Sequence, residues 1–306
     1  MKRMITIFLA VILATGLAGC TSSEDNKKKE EQLVVATTIA QIADIVKNVG
    51  GEHVKVEALM GPGTDPHLYQ AAQGDIKKLT EADVIFYNGL HLEGKMNEIF
   101  KKVNEQKPTY AVAESIPKEK LKKSGDKLHD PHVWFDISLW IYAVEKVEEG
   151  LATADPAHKE EFKANSQQYI ERLKKLDEYG KKQMAQIPKE SRVLVTAHDA
   201  FGYFGDAYGL EVMGLQGLST DSEYGVKDVQ SLVKTLADRN IKAIFIESSI
   251  SDRSINAVVQ GSENRGHEVK VGGELYSDAM GEEGTETGTY EGMFKHNIDT
   301  IVNALK

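Results

Sequence analysis

Short apolar runs alternate with amphipathic segments along most of this chain, and one long periodic stretch interrupts them near the middle. Residues 33–38 (LVVATT) read as a buried strand, and Ile39, Ile42, Ile45, Val46 and Val49 follow at helical spacing as far as Gly50-Gly51. Residues 54–60, 84–87 and 109–113 read as three more strands, with a short helix over 75–81. A helix is predicted over 138–151. The long stretch then opens at Asp155-Pro156, carries Phe162, Tyr169, Leu173, Leu176, Met184 and Ile187 on one narrow stripe, and stops at Pro188. About 30 helical residues span about 45 Å, which is longer than one small lobe needs and suits a rod between two. The alternation resumes with strands over 193–196, 210–215, 243–247 and 268–271 and helices over 226–236 and 290–305. The pattern predicts an α/β fold of two similar lobes, each a mainly parallel sheet flanked by helices, bridged by one rigid helix. The boundaries are 33–154, 155–188 and 189–306, with the site in the crevice at the carboxyl ends of the strands.

The first 32 residues belong to neither lobe. Lys2 and Arg3 precede an apolar run over 5–17, too short for a comfortable membrane span, and Leu17-Ala18-Gly19-Cys20 closes it. Residues 1–20 therefore read as a lipoprotein signal ending in a lipobox, with Cys20 lipidated as the first mature residue. Residues 21–32 (TSSEDNKKKEEQ) read as a flexible tether. Cys20 is the only cysteine, so an intramolecular disulfide and a thiolate metal site are both excluded. The net charge of −10 argues against a nucleic-acid partner and suits a protein that concentrates cations.

Two Asp-Pro-His tripeptides, Asp65-Pro66-His67 and Asp130-Pro131-His132, and one His-Asp pair, His198-Asp199, stand in loops beside strand-like runs. Proline stiffens the backbone on which each tripeptide histidine sits. Three such imidazoles suggest convergence on a metal ion, with Asp199 or another neighbouring acid orienting a loop or ring. The remaining histidines lie in charged, surface-like stretches, with His129 nearer as a rim residue or accessory ligand. With no thiol present, a fourth ligand is a carboxylate. Glu247 and Asp278 both fall at or just past the end of a late strand, and sequence physics does not choose between them.

With these residues in view the chain resembles the metal-binding lipoproteins of ABC importers, the zinc-uptake-A-like (cluster A-I) solute-binding proteins that deliver manganese or zinc. The resemblance covers the whole chain. It rests on the Leu17-Ala18-Gly19-Cys20 lipobox, Gly61-Pro62-Gly63-Thr64-Asp65-Pro66-His67-Leu68-Tyr69 and Asp130-Pro131-His132-Val133-Trp134-Phe135-Asp136. It rests also on Thr196-Ala197-His198-Asp199-Ala200-Phe201 with Tyr203-Phe204, on Ile244-Phe245-Ile246-Glu247, and on the Gly-rich loop with Asp278. It implies ligands His67 and His132 from the first lobe and His198 and Asp278 from the second. Glu247 and Asp199 are left as orienting partners or alternative ligands. Some family members carry Glu where His198 stands, so this is the three-histidine variant.

The resemblance further implies a monomer on the outer face of the membrane, held by the lipid on Cys20. It hands its ion to a permease driven by a cytoplasmic ATPase, both separate chains. Three imidazoles and a carboxylate suit Mn(II), Zn(II), Fe(II) or Co(II). Zinc-delivering relatives often carry a long His-rich acidic loop before the second ligand. Residues 121–130 (LKKSGDKLHD) are Lys-rich and hold only His129, which favours Mn(II) over Zn(II). The expected action is capture and release without chemistry on the ion, so the chain is not an enzyme. The rival readings are a secreted metal-dependent hydrolase with Glu247 as general base, and an adhesin that keeps the fold.

Overall fold

A computed structural model of the chain describes residues 32–125, 128–222 and 224–306. The predicted signal, Cys20 and all of the tether but Gln32 lie outside the described residues.

The first half is a parallel sheet. Strands β1 (Leu33–Thr37), β2 (Val54–Ala58), β3 (Val84–Tyr87) and β4 (Thr109–Ala111) lie in the order β2-β1-β3-β4, all neighbours parallel. Parallel neighbours need crossovers, and α1 (Ala40–Gly50), α2 (Gln73–Glu81) and α3 (Asn97–Asn104) supply them. Val35, Val84, Ile85 and Phe86 have no exposed surface, as expected of strands covered on both faces. A two-stranded antiparallel hairpin, β5 (Lys123–Ser124) and β6 (Leu128–His129), then leads into His132. Asp136, which closes the second tripeptide motif, caps α4 (Ile137–Ala154): its carboxylate accepts the Ser138 N–H at 2.8 Å.

Helix α5 (Lys159–Met184) has 26 residues, about 39 Å at 1.5 Å per residue. It is shorter than the 155–188 stretch because Pro156 starts a separate turn, Pro156–His158, whose N–H of Ala157 is taken by the Asp155 carboxylate. The stripe of α5 packs against α1 and α4 and, further on, against α9 (Tyr290–Leu305). Gly180 makes the last approach possible: a Cβ there would lie 2.9 Å from the Tyr208 ring and 3.1 Å from Ile298. Phe162, Tyr169 and Leu173 on the stripe are fully buried, each contributing about 1.5–3 kcal/mol by removal from water.

The second half holds two parallel pairs, β7 (Val193–His198) with β8 (Glu211–Gln216) and β9 (Ala243–Glu247) with β10 (Lys270–Leu275), and β7 lies beside β9. Helices α6 (Gly202–Tyr208), α7 (Val226–Asp238) and α8 (Arg253–Glu263) connect them. One buried cluster runs from β1 and α1 through α4 and α5 to α6 and α9, and a smaller one fills the space between the second strands and α7 and α8. Residues 32–306 thus pack as one compact unit. Among the described residues no helix is long and apolar enough to cross a membrane.

Candidate metal centre

Four side chains meet where strands end. His198 is the last residue of β7, Asp278 lies three residues beyond β10, and His67 and His132 stand in the loops that follow β2 and β6. All four are buried, at 4% exposure or less. One potential ligand atom from each lies within 4.8 Å of all the others. The Nε2 atoms of His67 and His132 are 3.3 Å apart. Asp278 Oδ2 is 3.5 Å from His67 Nε2 and 3.3 Å from His198 Nε2, and its Oδ1 is 3.4 Å from His132 Nε2. Bonds of 2.0–2.1 Å from a tetrahedral cation place its ligands about 3.3–3.4 Å apart, close to these four distances, which draw on both Asp278 oxygens. His198 Nε2 and both Asp278 oxygens have no hydrogen-bond partner despite their burial. Buried polar atoms left unpaired are costly, and these belong to the group whose ligand atoms lie within 4.8 Å of one another.

Each histidine is held from behind. In both tripeptides the aspartate Oδ1 accepts the N–H of the histidine two residues on, at 2.9 Å for Asp65 and 3.0 Å for Asp130. Asp130 Oδ1 also meets His132 Nδ1 at 2.7 Å. Glu247 does both for His198: Oε1 accepts its N–H at 2.8 Å and Oε2 meets Nδ1 at 2.6 Å. A carboxylate on Nδ1 fixes the ring and leaves Nε2 free to bind. Asp199, offered by its adjacency to His198, is outside the group of four. It lines a half-buried cleft with Lys122, Asp130 and Gly202, and Glu247 takes the place behind the His198 ring. His129, whose backbone pairs with Lys123 in the hairpin, is likewise outside the group.

Two supports carry no signal in the sequence. Thr220 Oγ1 donates to Asp65 Oδ2 at 2.6 Å across 155 residues, and Asn88 Nδ2 donates to the Pro131 carbonyl at 3.0 Å, fixing the second tripeptide. Both are single polar residues far from the ligands in sequence.

Burial and charge oppose one another in the site. Burial pushes His67 down to about 4, against the pull of Asp278. Burial also pushes on His132, but Asp130 and Asp278 outweigh it and raise the ring to about 9. His198 is raised likewise, Glu247 and Asp278 together overcoming burial. Burial alone would raise Asp278, yet the His198 and His132 rings hold its carboxyl well below the usual range. The arrangement is a buried cage of three imidazoles and one carboxylate suited to a small divalent cation. Both Glu247 oxygens are engaged by His198.

The family model for zinc-uptake complex component A, periplasmic, matches residues 35–304. The manganese-binding lipoprotein MntA of Bacillus subtilis is 58% identical over 98% of this chain and 99% of its own. The zinc-binding protein TroA of Treponema pallidum is 49% identical over 99% of this chain and 98% of its own. The solved structure of the periplasmic zinc-binding protein TroA superposes with a TM-score of 0.89 at 51% identity, covering 90% of this chain and 99% of that one. The manganese ABC transporter substrate-binding lipoprotein PsaA of Streptococcus pneumoniae is 31% identical over the whole of this chain and 99% of its own. On the strength of a match that spans the domain and relatives aligned end to end, the chain belongs to the family of periplasmic zinc-uptake complex component A.

Proposed function

We propose that this protein is the extracytoplasmic substrate-binding lipoprotein of an ABC importer, capturing a divalent transition metal, Mn(II) foremost, and delivering it to the permease. The observation that carries the reading is the set of four buried donors whose ligand atoms lie within 4.8 Å of one another, with His198 Nε2 and both Asp278 oxygens unpaired. In this reading His67, His132, His198 and Asp278 ligate the ion, and Asp130 and Glu247 orient the rings of His132 and His198. The ion is cargo, bound and released unchanged, and the protein is not an enzyme. Saturation of the ion by four protein ligands leaves no open position for a catalytic water.

Manganese is preferred because the relative at 58% identity is named for it and because the Lys-rich stretch before His132 lacks a histidine-rich loop. Zn(II) is the second reading, favoured by the zinc-binding relative at 49% identity and by the intrinsic order of affinities, in which Zn exceeds Mn at a given N/O site. Fe(II) falls between Mn(II) and Zn(II) in that order. Lipidation of Cys20 would hold the protein on the outer face of the membrane as a monomer. The boundaries 33–154, 155–188 and 189–306 then serve as two lobes and their connecting segment, with permease and ATPase as separate chains.

The test is metal content and competitive titration of the chain from Gln32 onward, stripped of metal at low pH and offered Mn(II), Zn(II) and Fe(II). One tightly held ion per chain, lost in His67→Ala and Asp278→Ala, is the expected result, and the ranking of the ions guides the assignment of the cargo. A chain that takes up no stoichiometric metal refutes the reading.

A further inference from the structure

Asp278 stands 3.3–3.5 Å from the three imidazoles and its oxygens meet no other group, so the peptide backbone on each side helps to fix where its carboxylate points. That backbone is tied to two different parts of the molecule. Tyr276 is gripped by Asn297 of α9, whose Oδ1 accepts the Tyr276 N–H at 2.9 Å and whose Nδ2 donates to its carbonyl at 2.7 Å. One residue later the partners change. The Ser277 carbonyl accepts Trp134 Nε1–H at 3.1 Å and Gln41 Nε2–H at 3.4 Å, both from the first half of the chain. Ser277, Trp134 and Gln41 have no exposed surface.

Trp134 lies two residues beyond His132, and its indole stands edge-on to the His132 ring with centroids 5.3 Å apart. Its own carbonyl is held by the Tyr290 hydroxyl at 2.6 Å. One hydrogen bond therefore connects the loop that carries His132 directly to the residue before Asp278. With it broken, Asn297 would still hold Tyr276 and the Ser249 hydroxyl, 3.2 Å away, would still meet that of Ser277, while Asp278 could swing away from His67 and His132.

We propose that the Ser277 carbonyl is a latch: Trp134 and Gln41 are positioning residues that hold Asp278 against the two tripeptide histidines and thereby set the rate at which a bound cation leaves. The proposal rests on the metal-carrier reading above. The latch acts after the ion has entered, so it governs release far more than capture. A buried carbonyl that loses its indole donor gives up roughly one hydrogen bond, equivalent to about a tenfold change in rate.

The experiment is stopped-flow release of Mn(II) or Zn(II) from the whole protein into a chromophoric chelator, with the association rate measured in parallel. Trp134→Phe keeps most of the ring and removes the donor; release is expected to accelerate about tenfold with little change in association. Gln41→Met removes the longer bond without touching the indole, keeps the test open should Trp134→Phe fold poorly, and is expected to give a smaller acceleration of the same kind. Trp140→Phe is the control. It makes the same change at a fully buried tryptophan whose Nε1 has no partner, so release should stay at the wild-type rate. Wild-type release from Trp134→Phe and Gln41→Met, or equal acceleration in Trp140→Phe, overturns the latch while leaving the carrier intact. A wild-type protein that binds no ion overturns both.

Discussion

Asp65-Pro66-His67 and Asp130-Pro131-His132 use the same backbone device, with the aspartate Oδ1 accepting the histidine N–H. They part at the side chains. Asp130 Oδ1 also meets the ring of its histidine, whereas the second oxygen of Asp65 turns away to accept the Thr220 hydroxyl. The two rings, 5.3 Å apart between centroids, are driven in opposite directions: His67 falls to about 4 and His132 rises to about 9. Identical tripeptides thus supply one imidazole that is neutral before any ion arrives and one that holds a proton until an ion displaces it. The motif fixes the loop, and the carboxylate placed behind the ring fixes the chemistry.

The harshest way to break the comparison is to remove the carboxylate that both rings face. Asp278→Ala leaves three imidazoles with no anionic ligand, and the expected loss of affinity exceeds the roughly 10–100-fold typical of outer supports. Competitive chelator titration reads it. A variant that binds within tenfold of wild type would mean that Asp278 is not a ligand and that the geometry misleads.

The sharper comparison is between the aspartates. Asn in place of either keeps an oxygen to accept the histidine N–H, so the loop is preserved in both. Asp130→Asn also removes the charge behind the His132 ring, and affinity is expected to fall by about 10–100-fold. Asp65→Asn touches no ring and is expected to stay within about threefold, by the same reasoning. Equal losses in the two variants would show that the tripeptides act through their backbones alone.

This asymmetry marks the limit of what the sequence discloses. The repeated tripeptide is legible because proline and a turn-forming aspartate act on adjacent residues. The alternation of strands and helices is legible for the same reason: periodicity is a local property, and β1, β3 and β9 fall within a residue of where it puts them. Elements that depend on tertiary contact are not. The strand expected over 268–271 is β10, Lys270–Leu275, because Gly272-Gly273 continues it through a bulge instead of ending it. Gly273 takes a φ of 146°, and a Cβ on Gly272 would lie 2.8 Å from Phe245 and from Ala304, so packing against β9 and α9 demands the glycine pair that looks like a loop in the sequence. Helices α3, α6 and α8, of 8, 7 and 11 residues, are absent from the elements predicted above. At the site, Asp199 is adjacent to His198 in sequence, but Glu247 is adjacent in space, because β9 runs beside β7. Choosing between those two acids needs the strand order, which no single segment encodes.

The same asymmetry has a proton count. Ligating imidazoles must be neutral. His132, raised to about 9, and His198, also raised, are both protonated at pH 7 before an ion binds, while Asp278 is ionised and His67 is neutral. Binding one dication at pH 7 should therefore release about two protons, leaving the charge of the buried site unchanged. Affinity should rise with pH through about 9, where His132 loses its proton, and level off only once His198 has lost its own as well. His67 competes with the ion only as pH approaches about 4. Calorimetry in buffers of different ionisation enthalpy measures the release. Asp130→Asn removes the main carboxylate that holds the proton on His132, and the count should fall to about one. An unchanged count would show that Asp130 does not control the ring.

The smallest expected effect tests the other tripeptide from its far side. Thr220 Oγ1 donates to an Asp65 oxygen that takes no part in holding His67, so Thr220→Val should leave the Asp65 Oδ1 contact with the His67 N–H in place. Asp65 is already raised by burial, and losing the donor should raise it further. A hydrogen bond to a charged group contributes about 1.5–3 kcal/mol, so the cost is expected in the melting temperature of the metal-free protein. Affinity at pH 7 should change by less than about threefold, because the ring of His67 is neutral with or without Thr220. The contact joins residues 155 positions apart, and its worth lies in bringing the two halves of the chain together around the site. If affinity fell as steeply as in Asp130→Asn while the melting temperature held, Asp65 would be acting on the His67 ring after all, and the two tripeptides would be equivalent in function as well as in sequence.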